Sequence, residues 1–181
     1  SYIARCIRGD ESISMAPAVL AWENVLGEVQ EISKPAVGML PEINNEEHTI
    51  TWKDVFGTGI HFRYNISPEK FFKTVIIDNY SDLPDPTIRQ DGLKLTVVMS
   101  TSWTDVEANN GFAKDNENIV LSTKYNFKAN KIEKKDDLEE YSYKDSENRD
   151  LWWIQEPVAW DSSENRKYYE MDWSIEKVGK K

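Results

Sequence analysis

Tyr169-Glu170-Met171-Asp172-Trp173-Ser174-Ile175-Glu176 decides the fold class, because Tyr169, Met171, Trp173 and Ile175 alternate one for one with Glu170, Asp172, Ser174 and Glu176. Side chains along a strand point to opposite faces in turn, so one face is built for a core and the other for water. Working back from this segment, the same period of two recurs. Ile119, Leu121, Thr123, Tyr125 and Phe127 oppose Ser122, Lys124, Asn126 and Lys128, and Leu93, Leu95, Val97, Met99 and Trp103 share one face of a longer strand. Ile60, Phe62, Tyr64 and Ile66 alternate with His61, Arg63 and Asn65, Ile50 and Trp52 with Thr49, Thr51 and Lys53, and Phe71–Ile77 follows as a further strand. Turn residues punctuate the pattern at Gly57-Thr58-Gly59 and Asn109-Asn110-Gly111, and Pro84 and Pro86 make residues 79–92 a long loop. Residues 131–150 are densely charged and read as a solvated hairpin carrying Tyr141 and Tyr143, before an apolar cluster of Trp152, Trp153, Ile154, Val158 and Trp160 around Pro157. The total is about eight strands.

One segment breaks the period. Over residues 14–33, Met15, Ala18, Val19, Trp22, Val25, Leu26, Val29 and Ile32 recur every three or four positions with Glu23, Asn24, Glu28 and Glu31 between them, which predicts an amphipathic helix. Ser14 serves as its N-cap, Pro17 fits its first turn, and Pro35 stops it. The expected architecture is a single domain over residues 1–181, mainly β, with an antiparallel barrel over residues 48–178 and the N-terminal helix closing one end. The alternative is an α+β arrangement in which a curved sheet wraps the helix.

With 22 Lys and Arg against 32 Asp and Glu, the chain carries a formal charge of -10. That charge repels phosphate backbones and anionic headgroups, so nucleic acid and membrane surfaces are not expected partners. No apolar run approaches the roughly 18 residues of a membrane-spanning helix. Cys6 is the one cysteine and has no internal disulfide partner.

Catalytic and metal motifs are sparse. His48 and His61, with Glu46 and Glu47 before the first, are a conceivable His/carboxylate site, but no His-x-His or His-Glu-x-x-His pattern accompanies them. A glycosidase would pair Glu156 with Glu170 or Asp172, at a separation of roughly 5 to 10 Å beside tryptophans able to hold a sugar ring. Gly57-x-Gly59 lacks the third glycine of a dinucleotide loop, Arg8-Gly9-Asp10 spells an integrin-type tripeptide, and Cys6 lies near Arg5 and Arg8, which would favour a thiolate. The reading leans away from an enzyme, and no catalytic residue, cofactor or metal is expected.

The outline is similar to calycin-like barrels, although the Gly-x-Trp opening of lipocalins is missing: Leu20 stands two positions before Trp22 and Thr101 two before Trp103. The resemblance implies a barrel that holds one small apolar molecule. The leading expectation is therefore a non-catalytic binding protein whose Trp52, Phe62, Tyr64, Trp103 and Trp173 accept a small hydrophobic ligand. A second expectation is an accessory subunit that docks on a protein partner through Trp152, Trp153 and Trp160. The third is recognition or cleavage of carbohydrate by the same aromatic and acidic C-terminal segment.

Overall fold

The computed structural model of the protein describes residues 3–8, 11–68, 70–104, 119–144 and 150–180. They are mainly β and antiparallel. The strands are β1 (Ala4–Arg8), β2 (Glu11–Glu23), β3 (Val29–Ser33), β4 (Glu42–Asn44), β5 (Thr49–Trp52), β6 (Ile60–Ile66), β7 (Phe71–Ile77), β8 (Lys94–Thr104), β9 (Ile119–Ile132), β10 (Glu140–Lys144), β11 (Asp150–Gln155), β12 (Ala159–Trp160) and β13 (Tyr168–Lys180). A 3-10 turn at Tyr80–Asp82 is the sole helical segment among the described residues.

The helix expected over residues 14–33 does not form. The segment is the end of β2, a tight turn and β3, paired in the register Leu20↔Ser33, Ala21↔Glu31, Trp22↔Gln30 and Glu23↔Val29. Its helical spacing has two causes. A bulge between Leu20 and Ala21 lets consecutive residues both face inward, at 0% and 1% exposure, which breaks the alternation a strand normally shows. Val25, Leu26 and Val29, which a helical stripe would have buried, sit at the hairpin tip and are 58–67% exposed.

The tip is held by Asn24 and Gly27. Gly27 adopts a φ of 77°, a left-handed conformation that glycine enters without steric cost and that closes short hairpin loops. The Gly27 N–H donates to the Asn24 carbonyl at 3.0 Å, and the Asn24 N–H to the Glu28 carbonyl at 3.1 Å. The buried Asn24 Oδ1 accepts from the N–H groups of Leu26 and Glu28, both at 3.0 Å, and its Nδ2 donates to the Arg89 carbonyl at 3.3 Å. Asn24→Ala strands these donors and is expected to lower stability by about 1–3 kcal/mol. The check is the urea midpoint at unchanged m, and an unmoved midpoint refutes the role given to Asn24.

Contacts divide the chain into two compact units, Val19–Gly92 and Tyr2–Ala18 together with Leu93–Lys181. In the inserted Val19–Gly92 unit, β4-β5-β6-β7 form an antiparallel meander. Its core holds Trp52, Val55, Phe56, Ile60, Phe62, Tyr64 and Leu83, all buried. The expected loop of residues 79–92 is present and anchored to the β2–β3 hairpin. Trp22 Nε1 donates to the Pro84 carbonyl at 2.9 Å, the Thr87 N–H to Gln30 Oε1 at 2.6 Å, and the Val25 N–H to the Asp91 carbonyl at 3.1 Å.

In the flanking unit the strand order is β1-β2-β8-β9-β13-β12, with β10 and β11 as a separate two-stranded sheet. This order ends at β1 on one side and β12 on the other, so among the described residues the sheet is open, and the closed barrel of about eight strands is not formed. The apolar face read from the sequence is kept, but the face opposite it, expected to meet water, also buries Thr96 and Asn126. Val97 and Trp173 stand opposite Tyr125, and Leu95 and Met171 opposite Phe127. Leu95 and Met99 are buried on that face, and on the other Thr96 Oγ1 donates to Asn126 Oδ1 at 2.8 Å, also buried. The Asn109-Asn110-Gly111 corner lies outside the described residues.

Candidate functional site

Three of the rings expected to line a ligand cavity are packed against one another. Trp52, Phe62 and Tyr64 are 5%, 1% and 2% exposed. Phe62 meets Tyr64 edge-on at 4.8 Å between centroids, Trp52 meets Tyr64 at 5.8 Å, and Phe71 stacks on Tyr64 at 4.6 Å. Edge-to-face and offset contacts at these distances are how aromatic cores fill space. Trp173 lies half-buried on β13 in the flanking unit, opposite Tyr125. Trp103 lies on β8, and its side chain is outside the described residues.

Lys73 of β7 stands opposite Tyr64 on the core face of the meander. Burial pushes its ammonium down to about 8 from 10.5, because removing a cation from water favours the neutral amine. Between pH 8 and 10.5 the unfolded chain holds a proton that the folded chain has released, so this group adds stability as pH rises through that window. Below it, both states carry the charge and the fold bears the desolvation cost. Lys73→Met is accordingly expected to stabilise the protein near neutral pH by about 1–3 kcal/mol. The gain should shrink towards pH 10, and a pH-independent difference in unfolding midpoints contradicts the assignment.

The flanking unit holds a surface hollow of about 190 Å³. It is lined by residues from the end of β9 and the segment after it (Ile132, Lys135, Leu138), from the segment before β12 (Glu156, Pro157, Val158) and from the start of β13 (Tyr168 to Met171). Ile132, Tyr168 and Trp160 are successive cross-strand partners on β9, β13 and β12 and so share one face. Ile132 is 43% and Trp160 46% exposed, and Val158 is exposed beside them. The Arg166 guanidinium lies over the Trp160 ring at 5.8 Å. Asp161 shapes the turn below, its Oδ1 accepting from the N–H groups of Ser163 and Lys167. β12 covers only Tyr168 and Tyr169 of β13, because Pro157 has no N–H to continue the ladder. Among the described residues no strand pairs with the remaining outer edge of β13.

Trp152, Trp153 and Trp160 are distributed over two sheets. Trp152 and Trp153 belong to the β10–β11 hairpin, where Trp152 is half-buried on the same side as the buried Ile154, and Trp153, on the opposite side, is 47% exposed. Only Trp160 stands in the row beside the hollow.

The hollow does bring together Glu156 and Glu170, two of the carboxylates the sequence nominates. Lys135 donates to Glu156 at 2.7 Å and the Glu139 N–H at 3.0 Å, holding its carboxyl below the usual range. Glu170 is likewise held down by Lys128 at 2.9 Å and Asn130 at 3.1 Å. Lys128 also bonds Asp172 at 2.7 Å, and both carboxylates raise its own pKa. A glycosidase needs one protonated carboxyl as its acid, and this arrangement keeps both carboxylates ionised.

The remaining candidates are tied into local structure. His61 Nδ1 accepts from the Asp54 N–H at 2.8 Å, and Nε2 faces Asp78 Oδ2 at 3.1 Å, which puts the proton on Nε2 and makes the ring a brace for the turn before β6. His48 is exposed, and no metal-binding group of side chains occurs among the described residues. Burial raises the Cys6 thiol pKa, the reverse of activation, while Arg5 is engaged with Ser12 Oγ at 3.0 Å. Gly9 and Asp10 lie outside the described residues. No helix among the described residues is long and apolar enough to cross a membrane.

No protein-family model, no curated protein and no solved structure matches the chain. The sequence reading missed Ile132, Lys135, Leu138 and Tyr168 as members of a site. Ile132 and Leu138 are isolated apolar residues in a charged stretch, and the Lys135–Glu156 pair closes across a sequence separation of 21, beyond any local pattern.

Proposed function

We propose that the protein is a non-catalytic interaction module, an accessory subunit that receives an extended segment of a partner protein along β13, beside the Ile132–Tyr168–Trp160 row. The carrying observation is that row, exposed at both ends and bordering the hollow. Sites for drug-sized molecules run to about 300–1,000 Å³, whereas a hollow of about 190 Å³ suits one or two partner side chains. Tryptophan, tyrosine and arginine dominate binding hot spots, and Trp160, Tyr168 and Arg166 supply all three. An open strand edge offers backbone hydrogen bonds to an extended segment.

Carbohydrate binding without cleavage is the second reading, favoured by the exposed Trp160 ring whose neighbour Tyr168 lines the hollow alongside two ionised carboxylates. The small-hydrophobe reading has less support, since Trp52, Phe62 and Tyr64 already fill each other's space. The test is parallel purification of partners from the native source with the wild-type chain, Trp160→Ala and Trp153→Ala. A protein held by wild type and Trp153→Ala but lost from Trp160→Ala is expected, and a partner that ignores Trp160→Ala overturns the proposal.

A further inference from the structure

We infer that the hollow beside β12 is the anchor pocket for an arginine of the partner, carried near the C-terminal end of an extended segment that runs antiparallel along the outer edge of β13. The inference rests on the reading of that edge as the receiving surface, and it names the side chain the edge selects. β12 pairs with β13 only at Ala159↔Tyr169 and Trp160↔Tyr168, and beyond Tyr169 no strand lies on that side among the described residues. Before Ala159 the chain leaves β13 for the β10–β11 hairpin, where the Glu156 N–H donates to the Glu139 carbonyl at 2.7 Å. A segment that continues the line and direction of β12 therefore points its C-terminal end at Pro157, which lines the hollow.

The alternation of β13 sets what such a segment presents. Glu170, Asp172 and Ser174 share one face, and Met171, Trp173 and Ile175 the other. Met171, Trp173 and Ile175 are half-buried, so apolar residues of the segment lie beside them. A residue opposite Asp172 projects on the face of Glu170, which also lines the hollow.

The lining then selects arginine. Ile132, Leu138, Pro157 and Val158 supply apolar walls, and Glu156 and Glu170 set two carboxylates against the one ammonium of Lys135. Lys135 is spent on Glu156, reaching its two oxygens at 2.9 and 2.7 Å. With the Glu139 N–H at 3.0 Å, Glu156 accepts three bonds, and Glu170 accepts two, from Lys128 and Asn130. A carboxylate offers about four acceptor positions, so both retain room for a donor. An arginine lays its methylene stem along apolar walls and presents a planar fork of donors that spans two carboxylates. Its guanidinium is also more weakly hydrated than an ammonium, which suits a half-enclosed hollow. A formal charge of -10 on the chain steers a basic segment towards it.

The test uses acetylated, amidated heptapeptides with valine at odd and threonine at even positions, the last threonine replaced by arginine, citrulline or norleucine. Titration into the isotopically labelled protein, followed by amide NMR, should shift Met171 to Ile175 and the residues lining the hollow. The arginine peptide should bind about 10-fold or more tighter than the citrulline peptide, which keeps the shape without the charge. Added salt should narrow that difference. Glu170→Gln, with circular dichroism unchanged, should weaken the arginine peptide and leave the norleucine peptide as it is. Should that variant fail to fold, the three peptides on the wild-type chain decide. Equal binding of all three at β13 overturns the arginine pocket and keeps the receiving edge, as does tighter binding of norleucine. Absence of any shift along β13 with every peptide overturns both.

Discussion

Phe62→Ala is expected to remove about 3–5 kcal/mol of stability, which is most of the margin of a small domain. Phe62 is 1% exposed and lies between Trp52 and Val75 in the sheet register. Its ring contacts Trp52 at 6.4 Å and Tyr64 at 4.8 Å. Truncation loses the transfer energy of the ring, leaves a void that the flanking strands cannot fill, and breaks two aromatic contacts. Chemical denaturation followed by tryptophan fluorescence reports the change, since Trp52 is itself in the cluster. The experiment also weighs the small-ligand reading. A ring lining an empty cavity lacks partner atoms on one side, so its removal would cost less than this range. A loss that small would return Trp52, Phe62 and Tyr64 to the ligand-binding role expected from the sequence, and a loss of several kcal/mol assigns them to the core.

That ambiguity shows where sequence reasoning stopped. The alternation of Tyr169, Met171, Trp173 and Ile175 was legible because a period of two is a local property of a strand, and β5, β6, β7, β8 and β9 were legible for the same reason. Whether Phe62 fills a core or lines a cavity depends on what stands opposite, and no local pattern encodes it. The helix reading of residues 14–33 failed for a related reason. A bulge at Leu20 and exposed apolar residues at Val25, Leu26 and Val29 together imitate a helical stripe. Gly27 with a capping Asn24 three residues before it was the local signal for a turn. At the C-terminal segment, the consecutive Trp152 and Trp153 drew attention, yet the tryptophan beside the hollow is Trp160, placed there by its pairing with Tyr168. The ion pairs that hold Glu156 and Glu170 charged come from Lys135 and Lys128, distant in sequence, so this charge pairing was not legible until the strands were in register.

Trp160→Ala is expected to weaken partner binding by about 30-fold or more, the cost of at least about 2 kcal/mol typical of a tryptophan hot spot, while changing stability by less than about 1 kcal/mol. The separation of the two effects follows from how β12 is held. The strand is 2 residues long, and its turn is fixed by Asp161, whose carboxylate accepts from Ser163 and Lys167 and is held below its usual pKa by them. Neither anchor involves the indole ring, which is 46% exposed. Removing it leaves the backbone of β12 in place and strips the apolar end of the row that begins at Ile132. Trp153 is equally exposed but stands on the separate β10–β11 sheet, so Trp153→Ala controls for the loss of any surface tryptophan and should bind as wild type does. Calorimetric titration of the purified partner against both variants reads the difference directly. Equal affinities for the two variants would place the contact elsewhere, whereas loss confined to Trp160→Ala locates it on the Ile132–Tyr168–Trp160 row.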